Sequence, residues 1–288
     1  MKQQTRKGNP PHALTIDLED WYHGLTRTNV KPQDWPHLVR RAQESTPLLL
    51  DILDEADVHA TFFVLGDLVR ENPSLIKRIA QKGHELGCHG YSHRPVHSLT
   101  PATFRQELDK TRKLIEDVAG KSVIGFRAPY FSIDHRCLWA FKILEEAGFQ
   151  YDSSVFPIKT ILYGYVGASR LPYNPIDGSD FMEYPVATIR LLGLTFPVAG
   201  GFYFRILPYS IIHWALTKLK DNCVSAILYM HPWELDCKQP RIPVSPRERF
   251  THFTGRSTLA EKIERLCRDF DLTPLGEIHR LWITNSNI

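Results

Sequence analysis

Short apolar runs alternate with amphipathic segments of helical length through the first half of the chain, and each run stops at glycine or at a reactive side chain. That alternation is what a parallel sheet demands, because successive parallel strands can be joined only through a crossover, usually a helix. Ala13-Leu14-Thr15-Ile16-Asp17 reads as a buried strand ending in acid. The next segment reads as a helix opening at Thr46-Pro47, with Leu48, Leu49, Ile52 and Leu53 on its apolar side. Ala60 to Leu65 is a second strand, closed by Gly66. Asn72-Pro73 and Thr100-Pro101 open two more helices, which Gly83 and Gly120 terminate. In all three helices a capping side chain precedes proline, whose missing N–H does no harm in a first turn. Val123-Ile124-Gly125-Phe126 is a strand running into Arg127, and Asp134 caps a helix through Leu138, Phe141 and Leu144 to Gly148.

From Phe156 to Pro208 the pattern loosens into Gly, Pro and Tyr, which predicts long loops and short strands covering a site. This stretch includes Met182-Glu183-Tyr184-Pro185-Val186 and Gly200-Gly201-Phe202-Tyr203-Phe204-Arg205. A helix over 209–220, a strand Ala226-Ile227-Leu228-Tyr229-Met230 leading to His231, a helix near 257–269 and a strand near Leu272 complete the reading.

At 288 residues the chain can bury a full core. A net charge of +3 gives no basic patch for nucleic acid, and Lys2, Arg6 and Lys7 read as a solvated tail. The five cysteines are odd in number and include no CxxC pair, which excludes a disulfide framework or zinc knot and suits a reducing compartment. The N-terminus lacks an apolar leader, and no window resembles a membrane span. The expectation is a cytoplasmic protein without an integral membrane segment, with a membrane partner left open.

Reactive side chains gather at four strand ends, the positions that converge on one face of an α/β barrel. Asp17, Glu19 and Asp20 place three carboxylates directly after the first strand. Such a group can hold a divalent metal and keep one oxygen free as a base, or simply form a solvated acidic turn. His89-Gly90-Tyr91-Ser92-His93 offers two imidazoles four apart, able to face one metal from a single turn. Thirteen histidines produce roughly 0.6 such pairs by chance, and His93–His97 is a second one, so the weight rests on position after the strand-like run His84 to Cys88. Arg127 could hold a catalytic carboxylate ionised or be a structural ion pair, and His231 could protonate a leaving group or be structural.

Together these segments resemble the polysaccharide deacetylase family, the NodB-homology or family 4 carbohydrate esterases. Thr15-Ile16-Asp17-Leu18-Glu19-Asp20 is similar to the aspartate-bearing first motif, His89 to His93 to the HxxxH motif, Arg127-Ala128-Pro129-Tyr130 to the RxPY motif, and His231 to the final histidine. Glu183-Tyr184-Pro185-Val186, Gly200 to Pro208, His231 to Asp236 and Arg249 to Arg256 resemble the branch found with exopolysaccharide and exosortase loci. The resemblance implies an α/β fold, a distorted and incomplete (β/α)7-type barrel over 13–235. Residues 1–12 form a tail, and 236–288 an extension packed on the barrel. It further implies removal of N-acetyl groups from an N-acetylated oligo- or polysaccharide with one divalent ion, by default zinc. Asp17 is then the base, Arg127 its holder and His231 the acid. His89 and His93 are metal ligands, and a backbone N–H near Tyr130 is an oxyanion donor. The family's usual motif has adjacent aspartates and a glycine, which this chain lacks. The third ligand is therefore Glu19 or Asp20, with Glu19 preferred because an acid-x-acid spacing occurs in related branches. Asp180 and Glu183 are the candidates for a carboxylate behind His231. Two alternatives remain: a metal-free, allantoinase-like hydrolase of cyclic amides, and a silent sugar-binding protein using the aromatic stretch from Tyr163 to Phe204.

Overall fold

A computed structural model describes residues 10–25, 32–160 and 164–286. Lys2, Arg6, Lys7 and Tyr163 lie outside the described residues. The strands are β1 (His12–Leu18), β2 (Thr61–Val64), β3 (Glu85–Cys88), β4 (Gly125–Phe126), β5 (Tyr151–Asp152), β6 (Met182–Glu183), β7 (Thr188–Leu191), β8 (Leu194–Pro197), β9 (Ile227–Met230) and β10 (Leu272–Thr273). Strands β1 to β6 follow one another across a single parallel sheet, β9 joins the far edge of β1, and β10 pairs with the first residues of β1. The β7–β8 pair is a separate antiparallel hairpin. Between β6 and β9 the sheet curls round without a continuous ladder; Ala187 N–H donates to Ile227 O across that gap. The result is a curled, open parallel barrel.

Helices cover the outside: α1 (Ala42–Glu55), α2 (Gly66–Glu71), α3 (Pro73–Gln81), α4 (Pro101–Ala119), α5 (Trp139–Glu146), α6 (Gly201–Ile206), α7 (Tyr209–Asp221), α8 (Pro246–Phe253), α9 (Leu259–Asp269) and α10 (Leu275–Ser286). Strand alternation divides the buried side chains into two sets. Leu14, Ile16, Leu18, Phe62, Val64, Leu86 and Cys88 face the helices in the main core. Ala13, Phe63, Tyr151, Tyr184 and Ile227 fill the barrel interior. Each fully buried leucine or isoleucine of the first set contributes about 1.5–3 kcal/mol. The second set forms the floor beneath the reactive residues. A Cβ at Gly125 would collide with the Tyr151 ring that fills this floor, so the strand needs glycine there.

Four local expectations need correction. Helix α1 starts at Ala42, one turn before Thr46-Pro47, because the distant carboxylate of Asp20 accepts the N–H groups of Arg41 and Ala42. Helix α5 starts at Trp139, since the Asp134 carboxylate is taken by the Arg136 N–H and guanidinium in a preceding turn. The Gly200–Arg205 run, expected among loops and short strands, carries helix α6. Beyond the last expected strand lies helix α10, whose first N–H groups are met by Thr61 Oγ1 and the Glu85 carboxylate.

Candidate active site

Strand alternation on β1 turns Thr15 and Asp17 to the interior, and the next inward position is Glu19. Arg127, just past β4, donates Nη1 to Asp17 Oδ1 at 2.8 Å and to Thr15 Oγ1 at 2.6 Å. Its other nitrogens are fixed by Ser153, with Nε on the carbonyl and Nη2 on the hydroxyl, and its plane lies 4.4 Å over the Phe63 ring. Arg127 is fully buried and Asp17 nearly so, so this ion pair is rigid and keeps Asp17 oriented.

Beyond Asp17, Glu19 Oε1 lies 3.0 Å from His89 Nε2 and 2.7 Å from His93 Nε2. The three ligand atoms fall within 4.8 Å of one another. His89 follows β3 directly, whereas His93 is returned to the same point by a bend with φ of +76° at Gly90 and +54° at His93. The two imidazoles are thus brought to one point by a left-handed bend. His89 Nδ1 donates to the carbonyl of Arg127, 2.7 Å away, which fixes the ring and presents Nε2 to Glu19 as the ligand atom. Two imidazoles and one carboxylate suit a divalent metal and leave positions open for other ligands. The donor set therefore fits a metal ion. Burial opposes ionisation of Glu19, but His93, His231 and the imidazole hydrogen bonds hold its pKa well below the carboxylate range.

Asp20 is not part of this group. Strand alternation sends it the opposite way, where its carboxylate receives the N–H groups of Trp21, Arg41 and Ala42. The choice of Asp20 as a ligand is corrected on that ground: its oxygens serve the start of α1. Burial raises its pKa to about 6 against those hydrogen bonds.

His231, at the end of β9, points Nε2 toward Glu19 Oε2 at 3.9 Å. Its Nδ1 donates to Glu234 Oε1 at 3.3 Å. Burial disfavours the charged ring, yet the carboxylates of Glu19, Glu234 and Asp17 outweigh it and raise the pKa to about 9. Glu234 is in turn 3.7 Å from Arg205. The carboxylate behind His231 is thus Glu234, three residues on, and neither Asp180 nor Glu183. Asp180 is exposed. Glu183 is buried beside Asp152 and accepts the Val155 N–H, and burial with that neighbouring carboxylate pushes its pKa well up. The signal for Glu234 was present in His231-Pro232-Trp233-Glu234, where proline allows a tight turn back to the histidine. Ser153 and Thr15, which hold Arg127, carried no signal of their own.

Tyr130 stands with φ of +58°, and its ring lies edge-on to His93 with centroids 4.4 Å apart. Among the described residues its backbone N–H has no hydrogen-bond acceptor. His97 is outside the metal-ligand group and lines a neighbouring cleft of about 400 Å³ with Trp35, Arg94, Tyr130 and Arg136.

Comparison with known proteins gives two adjacent family matches. Residues 33–151 match "Polysaccharide deacetylase" and residues 153–280 match "Domain of unknown function (DUF3473)". The peptidoglycan-N-acetylglucosamine deacetylase of Bacillus cereus is 37% identical over 98 residues, which are 34% of this chain and 36% of that protein. This chain therefore spans little more than a third of that relative. Among solved structures, a provisionally named polysaccharide deacetylase of Mycobacterium smegmatis superposes with a TM-score of 0.69 at 23% identity, over 99% of this chain and 94% of the other. A CE4 family pseudoenzyme from Bacillus anthracis superposes with a TM-score of 0.50 at 18% identity, covering 95% and 66%. At such identities the likeness is one of fold.

Proposed function

We propose, from the premise that this chain belongs to the polysaccharide deacetylase family, that it hydrolyses N-acetyl groups on an N-acetylated sugar polymer of exopolysaccharide type. Glu19, His89 and His93 hold a divalent ion, with zinc the first choice for an imidazole-rich donor set. The observation that carries this reading is the approach of three ligand atoms to within 4.8 Å, with Arg127-held Asp17 and His231 directed at the same group. A binding protein has no need of a buried base, a ligand triad and a cationic acid in one place.

When bound, the ion supplies Lewis acidity to the acetamide carbonyl and to water. Asp17 accepts the proton of the attacking water, and Arg127 keeps its carboxylate aimed. The free N–H of Tyr130 offers a hydrogen bond to the oxygen that gains charge. The carboxylates around His231 favour its protonated ring, and from Nε2 it can pass that proton to the departing amine while Glu234 fixes Nδ1. The cleft beside His93, walled by Trp35 and Tyr130, has room for a sugar ring against aromatic faces.

Acetate release from N-acetylglucosamine oligosaccharides tests the reading. Wild type should release acetate, chelation should stop it, and Asp17→Asn should lower kcat by about 10²–10⁴. Equal rates from wild type and Asp17→Asn would overturn the assignment of the base. Full activity of metal-free protein would favour the cyclic-amide hydrolase instead.

A further inference from the structure

The β7–β8 hairpin keeps apolar side chains in water at a place where the turn has better choices. Leu191, Leu192 and Leu194 surround the turn, Leu192 is 94% exposed, and Phe196 follows with 44% of its surface open. Leu192 and Gly193 have φ of +50° and +80°. Two-residue turns of this kind favour asparagine or aspartate before glycine, and leucine there is strained as well as exposed. Neither turn propensity nor core packing accounts for it.

Two cations stand along the same hairpin, Arg170 at its base and Arg190 one residue before Leu191. Arg170 donates Nε to Thr188 Oγ1 and Nη2 to Thr188 O, fastening its own segment to β7. Arg190 is exposed and close enough for its charge to bear on Arg170. Among the described residues neither guanidinium is ion-paired with a carboxylate. The fastened segment adds Val166 and Leu171, 67% and 52% exposed, and begins at Gly164, which lines the active-site cleft.

We propose that this hairpin and the 164–171 segment dock onto a lipid bilayer with anionic headgroups, the leucine tip entering the interface and Arg170 and Arg190 meeting lipid phosphates. Charge complementarity selects this occupant. An apolar tip collared by unpaired guanidiniums matches a surface whose apolar layer lies just beneath a negative one. Among the described residues no helix is long and apolar enough to cross a membrane, so this contact is interfacial.

Flotation of the full chain with vesicles tests the proposal. Wild type should float with phosphatidylcholine–phosphatidylglycerol vesicles, less with phosphatidylcholine alone, and salt should release it. The double variant Leu192→Asn/Leu194→Ser should bind about tenfold more weakly or worse. Its acetate release from soluble oligosaccharide and its Tm should not fall, because asparagine suits the turn. Arg190→Gln should weaken binding to the anionic vesicles about fivefold and leave neutral vesicles unaffected. Failure of wild type to float, or equal flotation of the leucine variant, would overturn the proposal. So would a dimer, seen by light scattering, that the leucine substitutions dissolve while vesicle binding is absent; the face would then belong to a second copy.

Discussion

Replacing Glu234 with glutamine tests whether His231 is held protonated by its neighbours. The carboxylate oxygen lies 3.3 Å from Nδ1, which at an effective dielectric constant near 20 corresponds to about 5 kcal/mol as a ceiling. Arg205, 3.7 Å from the same oxygen, cancels much of that field. What survives is a charge-assisted hydrogen bond worth about 1.5–3 kcal/mol, or roughly one to two pKa units. The imidazole pKa, raised to about 9, should therefore fall by that amount in Glu234→Gln. His231 acts as an acid, so activity is present below this pKa and lost as pH rises through it. The alkaline limb of kcat/KM should move down by about one to two units, leaving the variant near wild type at pH 6 and roughly ten- to a hundredfold slower at high pH. A cation on Glu19 lowers both limbs alike, so the displacement between the proteins is the quantity to measure. A uniform loss of rate with an unmoved limb would refute the role given to Glu234, and Tm would show whether unpaired Arg205 disturbs the fold.

Glu19→Gln should abolish stoichiometric metal, measured by elemental analysis, whereas Asp20→Ala should keep the metal and lower stability by about 0.5–2 kcal/mol in urea melts through loss of the helix cap. Arg127→Met leaves a buried carboxylate without its partner and should cost about 3–5 kcal/mol of stability together with activity. Gly201→Ala places a methyl group against the Glu234 carboxylate. It should reproduce the lowered alkaline limb of Glu234→Gln without altering the metal content.

The sequence showed the parallel α/β plan because its strands and helices keep their own periods, and it showed Asp17, His89, His93, Arg127 and His231 because each stands at or just past a strand end. It preferred Glu19 to Asp20 only through the spacing of related branches, although a direct signal was present. A period of two continued past β1 puts Asp17 and Glu19 on one face and Asp20 on the other. The start of α1 could not be read locally, because its cap is a carboxylate twenty-odd residues upstream. The bend at Gly90 and His93 was likewise hidden, since a left-handed histidine has no sequence signature. Ser153 and Thr15 look like any small polar residues until Arg127 is placed between them.

Strand β1 leaves the ribosome long before the strands that flank it on one side. Thr15 hydrogen-bonds Leu228, 213 positions later, and His12 is joined by Asp271. At about 5–20 residues per second, the nascent chain carries β1 for roughly 10–40 s with an edge lacking its neighbour. The two matched segments divide one sheet, with their boundary at β5, and β1, which both need, precedes the first of them. Expressed alone, residues 33–151 would leave β2 with a bare edge where β1 belongs and should aggregate, and residues 153–280 would lack the strand on which β9 and β10 assemble.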